Sequence, residues 1–297
     1  MTAITEPAPA KINLGLTLGP LREDGRHRLV TVMQPVDLCD RVSAVPATIG
    51  AGEDECVCEG VEGENLALAA LRAFREATGW DGAPLRLEIE KKIPVAAGMA
   101  GGSADAGAAL RIAERLSGVE DDELVDSVAA GLGSDVPAQV WPTRYLATGA
   151  GDILHALPEP APFGVLVVPS SHRLSTPDVF READRLGLPR SGAEVEAREA
   201  ELVGALAAGA AFPPEELMAN DLEPAAVSLL PELEWTLDEV RGAGALRAFV
   251  CGSGPTVVGL FDGHGSALAA ATALAGREPR PVAVEPWYPS ALGASRR

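Results

Sequence analysis

A glycine-rich segment between a strand pattern and a helix pattern constrains this chain most. The alternating run 85–90 predicts a strand, and the Ala- and Leu-rich run 104–116 predicts a helix. The segment between them, 94–103, reads Pro-Val-Ala-Ala-Gly-Met-Ala-Gly-Gly-Ser. A glycine-rich turn at a helix start leaves backbone N–H groups free around a concavity, with the positive end of the helix dipole behind them. The segment therefore predicts a phosphate-binding loop.

Two familiar phosphate-binding motifs do not fit this spacing. A Walker loop ends in Gly-Lys-Ser or Gly-Lys-Thr, whereas Gly102 is followed directly by Ser103. The dinucleotide motif Gly-x-Gly-x-x-Gly does not match the run from Gly98 to Gly101. The alternative is a tight turn whose glycines only supply positive φ angles. Over 94–104, three glycines and five other small residues around one Met favour phosphate binding over that alternative.

Length and charge bound the function class. The 297 residues suffice for two domains of ordinary size. The formal net charge of −19 argues against nucleic acid as a partner, because a phosphate backbone requires a basic surface. No stretch approaches the roughly 20 apolar residues of a membrane span, and 1–9 lacks the segments of a signal peptide. We therefore expect a cytoplasmic protein without a membrane partner. Free thiols are expected at Cys39, Cys56, Cys58 and Cys251.

Strict alternation predicts a strand over 8–18 and places Lys11 and Asn13 side by side on its polar face. A polar strand face can simply be solvated. Lysine is scarce, however, since Lys11, Lys91 and Lys92 are the only three in the sequence. A lysine that is retained in a chain otherwise rich in arginine indicates a role that requires a compact ammonium group.

Strand and helix patterns are mixed without regular βαβ repeats, which favours an α+β fold in two domains. The proline-rich stretch 158–162 is the best linker, so the predicted domains are 1–158 and 159–297. The final strand, 282–290, is a candidate to return to the N-terminal domain. Helices are predicted at 65–77, 104–116, 120–130, 193–208, 215–222 and 266–275, and strands at 8–18, 29–38, 85–90, 145–148, 163–168, 246–251, 256–261 and 282–285.

Three segments together resemble the GHMP kinase superfamily: Pro9-Ala-Lys-Ile-Asn-Leu14, the loop 94–103, and Gly252-Ser-Gly-Pro255. The resemblance implies an N-terminal ATP-binding domain, a C-terminal ferredoxin-like domain and an active site in the cleft between them. Supporting stretches follow in the superfamily's order over nearly the whole chain, at 24–27, 132–137, 175–180 and 220–223.

Within the superfamily, the resemblance is strongest to kinases whose substrate carries a cytidine diphosphate group. It implies ATP-dependent phosphorylation of the 2-hydroxyl of 4-diphosphocytidyl-2-C-methyl-D-erythritol, in the non-mevalonate route to isoprenoid precursors. The implied cofactors are ATP and Mg²⁺, and a monomer or homodimer is expected. Two alternatives stay open: a GHMP kinase acting on another small alcohol, and a GHMP-fold regulator that binds nucleotide without chemistry.

The resemblance also implies catalytic roles. Asp135 matches the superfamily's base, which accepts the proton of the substrate hydroxyl. From the residues alone, an N-cap is an equal alternative, because Asp followed by Val136-Pro137 suits a helix start. Lys11 matches the catalytic lysine, which would keep the carboxylate ionised and stabilise developing charge. Asn13, on the same strand face, would hydrogen-bond the substrate.

The implied ATP site has two parts. The phosphates would lie against Gly98, Gly101, Gly102 and Ser103, although Ser103 could instead cap the helix. Asn65, Leu66 and Lys91 match positions around the adenine, and Asn65 is equally plausible as an N-cap. The complete predicted phosphate loop is Pro94, Val95, Ala96, Ala97, Gly98, Met99, Ala100, Gly101, Gly102, Ser103 and Ala104.

The implied substrate site departs from the family pattern at one position. His27 would hydrogen-bond the cytosine and Phe180 would stack on it, although a helical Phe is more often part of a core. The family usually has Tyr before the His, whereas this chain has Arg26, whose guanidinium plane can also stack. Thr176, Gly252 and Ser253 complete the predicted substrate contacts. No metal triad is expected from His155, His172 and His264, and the magnesium ligands are left unassigned.

Overall fold

The computed structural model describes residues 3–47, 52–61, 63–207 and 209–288. They form two sheets with helices packed against each, which confirms the predicted α+β class. None of the helices in these ranges is long and apolar enough to cross a membrane.

The N-terminal sheet is built around two long antiparallel strands, β1 (Ile4–Leu21) and β2 (His27–Pro46). Strand β4 (Leu85–Glu90) pairs with β2, and β3 (Glu55–Cys58) pairs with β4 in parallel. On the other side, β5 (Tyr145–Thr148) pairs with β2, and β6 (Ile153–Ala156) pairs with β5. The sequence pattern did not predict β3 and β6, which are four residues each.

Four helices accompany this sheet. Helix α1 (Leu66–Thr78) begins after Asn65 and ends at Gly79, whose φ of +68° suits a glycine C-cap. Helix α2 (Gly101–Ser117) runs through the core, and its residues 104–114 are all buried. This burial on every side explains why the helix is rich in Ala and Gly. Helices α3 (Asp122–Leu132) and α4 (Val136–Val140) follow.

The C-terminal sheet has the order β10-β7-β9-β8, entirely antiparallel. In chain order, helices lie between β7 and β8 and between β9 and β10. Together with the strand order, this is the ferredoxin-like arrangement. The strands are β7 (Gly164–Val168), β8 (Arg247–Val250), β9 (Val257–Phe261) and β10 (Val282–Val284). The helices are α5 (Thr176–Leu186), α6 (Gly192–Leu206), α7 (Glu223–Leu229), α8 (Glu232–Gly242) and α9 (His264–Ala273).

The predicted helix 215–222 is wrong. Only a 3₁₀ turn, Glu215–Leu217, forms there, and α7 begins at Glu223. The intervening backbone pairs with β1 instead, because Leu16 donates to Ala219 O at 2.9 Å and accepts from Asp221 N at 2.9 Å. Helices α5 and α8 were not predicted.

Several segments connect the two halves. Three residues of α6 (Val195, Leu202 and Leu206) belong to the core beneath the N-terminal sheet. Strand β10 pairs with β7, and the residues just after it hydrogen-bond to 35–37 of β2. The predicted final strand 282–290 thus contacts both halves, and its residues 289 and 290 lie outside the described ranges. The domain boundary at 158 stays a prediction.

Candidate active site

A cleft of about 480 Å³ opens where β1, the loop 94–100, the start of α2 and the turn 252–253 meet. It brings together residues that are far apart in the sequence. The predicted site residues that line it are Lys11, Asn13, Asn65, Leu66, Lys91, Pro94, Val95, Ala96, Ala97, Gly98, Ala100, Gly101, Gly102, Asp135, Thr176, Phe180, Gly252 and Ser253. The predicted residues outside the lining are Arg26, His27, Met99, Ser103 and Ala104.

The polar face of β1 is buried in the floor of the cleft rather than solvated. Lys11 is 6% exposed, and its Nζ donates to Asn13 Oδ1 at 2.8 Å. Asn13 Nδ2 donates to Thr31 Oγ1 at 2.9 Å, and that hydroxyl donates to Gly15 O at 2.6 Å. Each member is fixed by the next, so the ammonium is held in one position.

Asp135 faces this ammonium, with Oδ2 at 3.6 Å from Lys11 Nζ. Its side chain is 32% exposed, so it reaches both the lysine and the open cleft. Although Asp135 immediately precedes α4, its carboxylate makes no capping hydrogen bond to that helix. The carboxylate is therefore free to accept a proton from a bound hydroxyl.

The predicted phosphate loop forms a backbone cradle. Helix α2 begins at Gly101, and its first internal hydrogen bond runs from Ala104 N to Ala100 O. The N–H groups of Gly101, Gly102 and Ser103 therefore have no helical partner, which makes this end an anion site. Ser103 does not act as the N-cap, since Ala100 holds that position without a side-chain bond.

Left-handed backbone angles shape the loop before the helix. Gly98 has φ +75°, and a Cβ there would lie 2.3 Å from Cys251 O. Ala96 and Ala100 adopt φ of +56° and +57°, which L-residues rarely do. Both alanines thus take strained angles, each at a cost of about 1–2 kcal/mol, whereas Ala97 does not.

We expect Gly98→Ala to lower the free energy of unfolding by about 2–4 kcal/mol, because a positive φ and a backbone clash combine. The ATP KM should rise at least tenfold as the loop shifts. Urea unfolding and steady-state kinetics measure the two effects. Gly131→Ala in α3 is the control, since nothing lies within 4 Å of its added Cβ. Equal stability of both variants would contradict the prediction.

A buried ion cluster lies beside the cradle. Lys91 Nζ donates to Asp105 Oδ2 at 2.7 Å and also to Asp40, whose Oδ1 accepts from Ile93 N at 2.8 Å. Burial raises the pKa of Asp105 to about 7, a trend that Asp40 adds to and Lys91 opposes. Burial lowers the pKa of Lys91, but the carboxylates outweigh it, so the net shift is upward. The ammonium of Lys91 thus donates hydrogen bonds to two buried carboxyl groups.

This arrangement predicts a pH dependence of stability. A carboxyl with a folded-state pKa near 7 and an ordinary value of 3.8 holds its proton longer when folded, so its contribution to stability falls as pH rises from about 4 to 7. Asp105→Asn removes that term. Across this window, the free energy of unfolding of the variant should rise relative to that of the parent, by up to about 1.4 kcal/mol for each pH unit. Urea unfolding at pH values of about 4, 5, 6 and 7, which span this window, measures the difference, and a difference that is flat with pH would contradict the assignment.

Asn65 and Leu66, the residues predicted to lie near the adenine, are found where α1 begins. Asn65 and Leu66 line the cleft, as predicted. Asn65 Oδ1 also accepts from Ala67 N at 2.9 Å, so the N-cap alternative holds for this residue.

On the opposite side of the cleft, the hydroxyls of Thr176 and Ser253 are hydrogen-bonded to each other at 2.8 Å. Phe180, on α5, also lines this side. His27 is buried behind Phe180, with ring centroids 5.7 Å apart. Its Nδ1 contacts Gly19 O at 2.9 Å.

Arg26 is exposed and ion-paired rather than turned into the cleft. Its Nη2 lies 3.2 Å from both Asp24 Oδ2 and Asp152 Oδ2. Hydrogen bonding and charge from these carboxylates raise the pKa of Arg26. A stacking role for Arg26 stays a prediction that requires these pairs to open.

Thr31 and Asp105 also belong to the site, although the sequence pattern did not predict them. Thr31 reaches the site only through the register of β1 with β2, and Asp105 only through the fold that brings α2 beside β4. Within the described ranges, no group of three or more His, Cys, Asp or Glu side chains could hold a metal ion.

Comparison with known proteins gives a consistent result. The family model for the GHMP kinases N terminal domain matches residues 65–142, and the model for GHMP kinases C terminal matches residues 197–279. The 4-diphosphocytidyl-2-C-methyl-D-erythritol kinase of Nocardioides sp. is 42% identical over 280 residues, covering 89% of this chain and 91% of that protein. The kinase of the same name from Streptomyces coelicolor is 43% identical over 262 residues, covering 86% of each.

Solved structures agree. A crystal structure of 4-(cytidine 5'-diphospho)-2C-methyl-D-erythritol kinase superposes with a TM-score of 0.79 at 33% identity, covering 96% of this chain and all of that one. The homoserine kinase of Cytophaga hutchinsonii superposes with a TM-score of 0.70 at 18% identity, covering 97% and 95% of the two chains, which shows a shared fold.

Proposed function

This chain belongs to the 4-diphosphocytidyl-2-C-methyl-D-erythritol kinases of the GHMP family, and we propose that it phosphorylates the 2-hydroxyl of that compound with ATP. The observation that carries the proposal is the pair Lys11–Asp135, at 3.6 Å, in the same cleft as the backbone cradle of α2. A phosphate site and a carboxylate base within one cleft are what transfer from ATP to an alcohol requires.

In the proposed reaction, Asp135 accepts the proton of the 2-hydroxyl while the oxygen of that hydroxyl bonds to the γ-phosphorus of ATP. The bond from the γ-phosphorus to the bridging oxygen breaks, and ADP leaves with that oxygen. Lys11 stabilises the negative charge that develops on the hydroxyl oxygen and the phosphoryl group. Asn13 holds the ammonium in place through its 2.8 Å bond.

ATP would bind with its phosphates against the N–H groups of Gly101, Gly102 and Ser103, the amides without helical partners. Adenine would lie towards Asn65 and Lys91. Mg²⁺ fits this setting because it retains waters, uses substrate phosphates and needs few protein oxygens. We therefore propose that water and the ATP phosphates supply its ligands, since the Ser103 side chain lies outside the cleft lining. The bound ion would neutralise phosphate charge during transfer.

Cytosine recognition is proposed for His27 and Phe180, with Thr176, Gly252 and Ser253 contacting the rest of the substrate. Further parts of the proposal concern the setting of the enzyme: domains that divide near 158, a cytoplasmic location, a monomer or homodimer, and no nucleic-acid partner. The net charge of −19 supports the last point.

Release of ADP tests the proposal. The purified protein with Mg-ATP would be offered the cytidine compound, the same alcohol without cytidine diphosphate, homoserine and mevalonate. Turnover confined to the cytidine compound is expected. Turnover with another alcohol would retain the kinase chemistry and reject the substrate, an outcome that the ion-paired Arg26 makes worth measuring. ATP binding without any turnover would favour a non-catalytic protein.

A further inference from the structure

Asn220 links strand β1 to the turn at 252–253. Its side chain is 6% exposed, and both hydrogens of its amide are used: Nδ2 donates to Val250 O at 2.7 Å and to Gly252 O at 2.7 Å. Its Oδ1 accepts from Leu222 N at 3.0 Å. A fully satisfied buried amide of this kind fixes the groups around it in one geometry.

The backbone around Asn220 is anchored to β1. Asn220 and Leu16 form a parallel bridge, with the 2.9 Å hydrogen bonds of Leu16 to Ala219 and Asp221 on either side. The approach is so close that a Cβ on Gly15 would lie 2.1 Å from Leu217 O. Strand β1 also carries Lys11 and Asn13, so the anchor lies three residues beyond the floor of the cleft.

Asn220 also sets the direction of a peptide group in the cleft wall. Because C=O and N–H point in opposite directions in a trans peptide, holding Gly252 O at Asn220 turns the Ser253 N–H away from Asn220. Ser253 and Gly252 line the cleft, and Asn220 does not. Gly252 lies close to the catalytic face, since a Cβ there would be 3.3 Å from Asn13 Oδ1 and 3.8 Å from Lys11 Nζ.

We propose that Asn220 is a positioning residue: it holds the turn 252–253 at a fixed distance from Lys11 and Asn13 and so aligns the acceptor hydroxyl for transfer. The proposal rests on the proposed function for its kinetic consequence. It concerns the acceptor more than ATP. The turn touches the phosphate loop at Gly98, with Cys251 Sγ 3.5 Å from Gly98 O, whereas the N–H groups proposed to hold the phosphates belong to the start of α2.

Asn220→Asp tests this with an isosteric change. The variant keeps an oxygen that accepts from Leu222 N, loses both donors, and places a carboxylate oxygen against two carbonyl oxygens. We expect the acceptor KM to rise at least tenfold and the ATP KM to rise clearly less, because the turn touches the phosphate loop only through Gly98. Asn220→Ser, which retains a capping oxygen but cannot reach the carbonyls, provides the same test if Asn220→Asp does not fold.

Asp221→Asn is the matched control. Asp221 accepts from Leu18 N at 3.0 Å and from Arg190 at 2.7 Å, so its loss weakens the attachment to β1 and leaves both bonds to the turn intact. This variant should lose stability but keep its acceptor KM within twofold. An Asn220→Asp variant that keeps the parent acceptor KM, or that raises the acceptor and ATP KM values equally, would overturn the proposal.

Amide hydrogen exchange separates this proposal from the proposed function. Exchange across 250–256 should be at least tenfold faster in Asn220→Asp than in the parent, and within twofold of the parent in Asp221→Asn. If the parent phosphorylates no cytidine compound, the proposed function fails, and hydrogen exchange alone tests whether Asn220 holds the turn. Unchanged exchange in Asn220→Asp would then overturn the positioning role, and faster exchange would support it.

Discussion

Replacing Asp135 with Asn is expected to lower kcat by about 10²–10⁴, the usual contribution of a positioned general base. The amide has nearly the volume of the carboxylate but cannot take the hydroxyl proton. Because Asp135 makes no capping bond to α4, the substitution should leave the helix intact. The loss corresponds to about 3–5 kcal/mol of transition-state stabilisation.

Steady-state kinetics with varied ATP and varied acceptor would measure this effect. The ATP KM should stay within about threefold, since the cradle of α2 is formed by backbone groups. Asp122→Asn, on the exposed start of α3, removes the same charge away from the cleft and should leave kcat unchanged. A kcat within fivefold of the parent in Asp135→Asn would refute the general-base assignment, as about 10² is the least that a base contributes.

Local patterns in the sequence were sufficient to predict the elements that hold the proposed catalytic and phosphate-binding residues. Strict alternation places Lys11 and Asn13 on one face of β1, and the run 94–103 leads into α2. Both signals depend on neighbouring residues alone. They are therefore independent of how the rest of the chain folds.

Other parts of the site depend on contacts between distant residues. Thr31 hydrogen-bonds to Asn13 because β1 pairs with β2. Asp105 contacts Lys91, which also contacts Asp40, and the three residues come from separate segments. No periodicity reports such pairings. The angles of Ala96 and Ala100 were equally hidden, because alanine gives no signal for a positive φ.

The error at 215–222 has a related cause. Residues 219–221 have their backbone groups satisfied by β1, so a helical continuation would break two good hydrogen bonds. Helix α5 did leave local signals that were not used, namely Pro177 in its first turn and Gly187 at its end.

Replacing Lys11 with Met is the second large effect expected. Methionine preserves the length and apolar stem of the side chain, removes the ammonium from its place 3.6 Å from Asp135, and leaves Asn13 Oδ1 without its donor. We expect kcat to fall by about 10²–10³, the range for losing one preorganised electrostatic contact to the transition state. Lys92→Met is the control, because Lys92 is exposed and its Nζ forms an ion pair only with Glu90, at 4.0 Å, among the described residues.

The double variant Lys11→Met/Asp135→Asn then tests whether the two groups act as a unit. Once the base is absent, the ammonium has no alkoxide forming beside it to stabilise, so its removal should cost little more. The double variant should therefore lie within about tenfold of the slower single variant, as strongly non-additive effects are the rule for catalytic groups that act together. Multiplicative losses would mean that Lys11 acts on the phosphoryl group independently of Asp135, and the ion pair would then be incidental to catalysis.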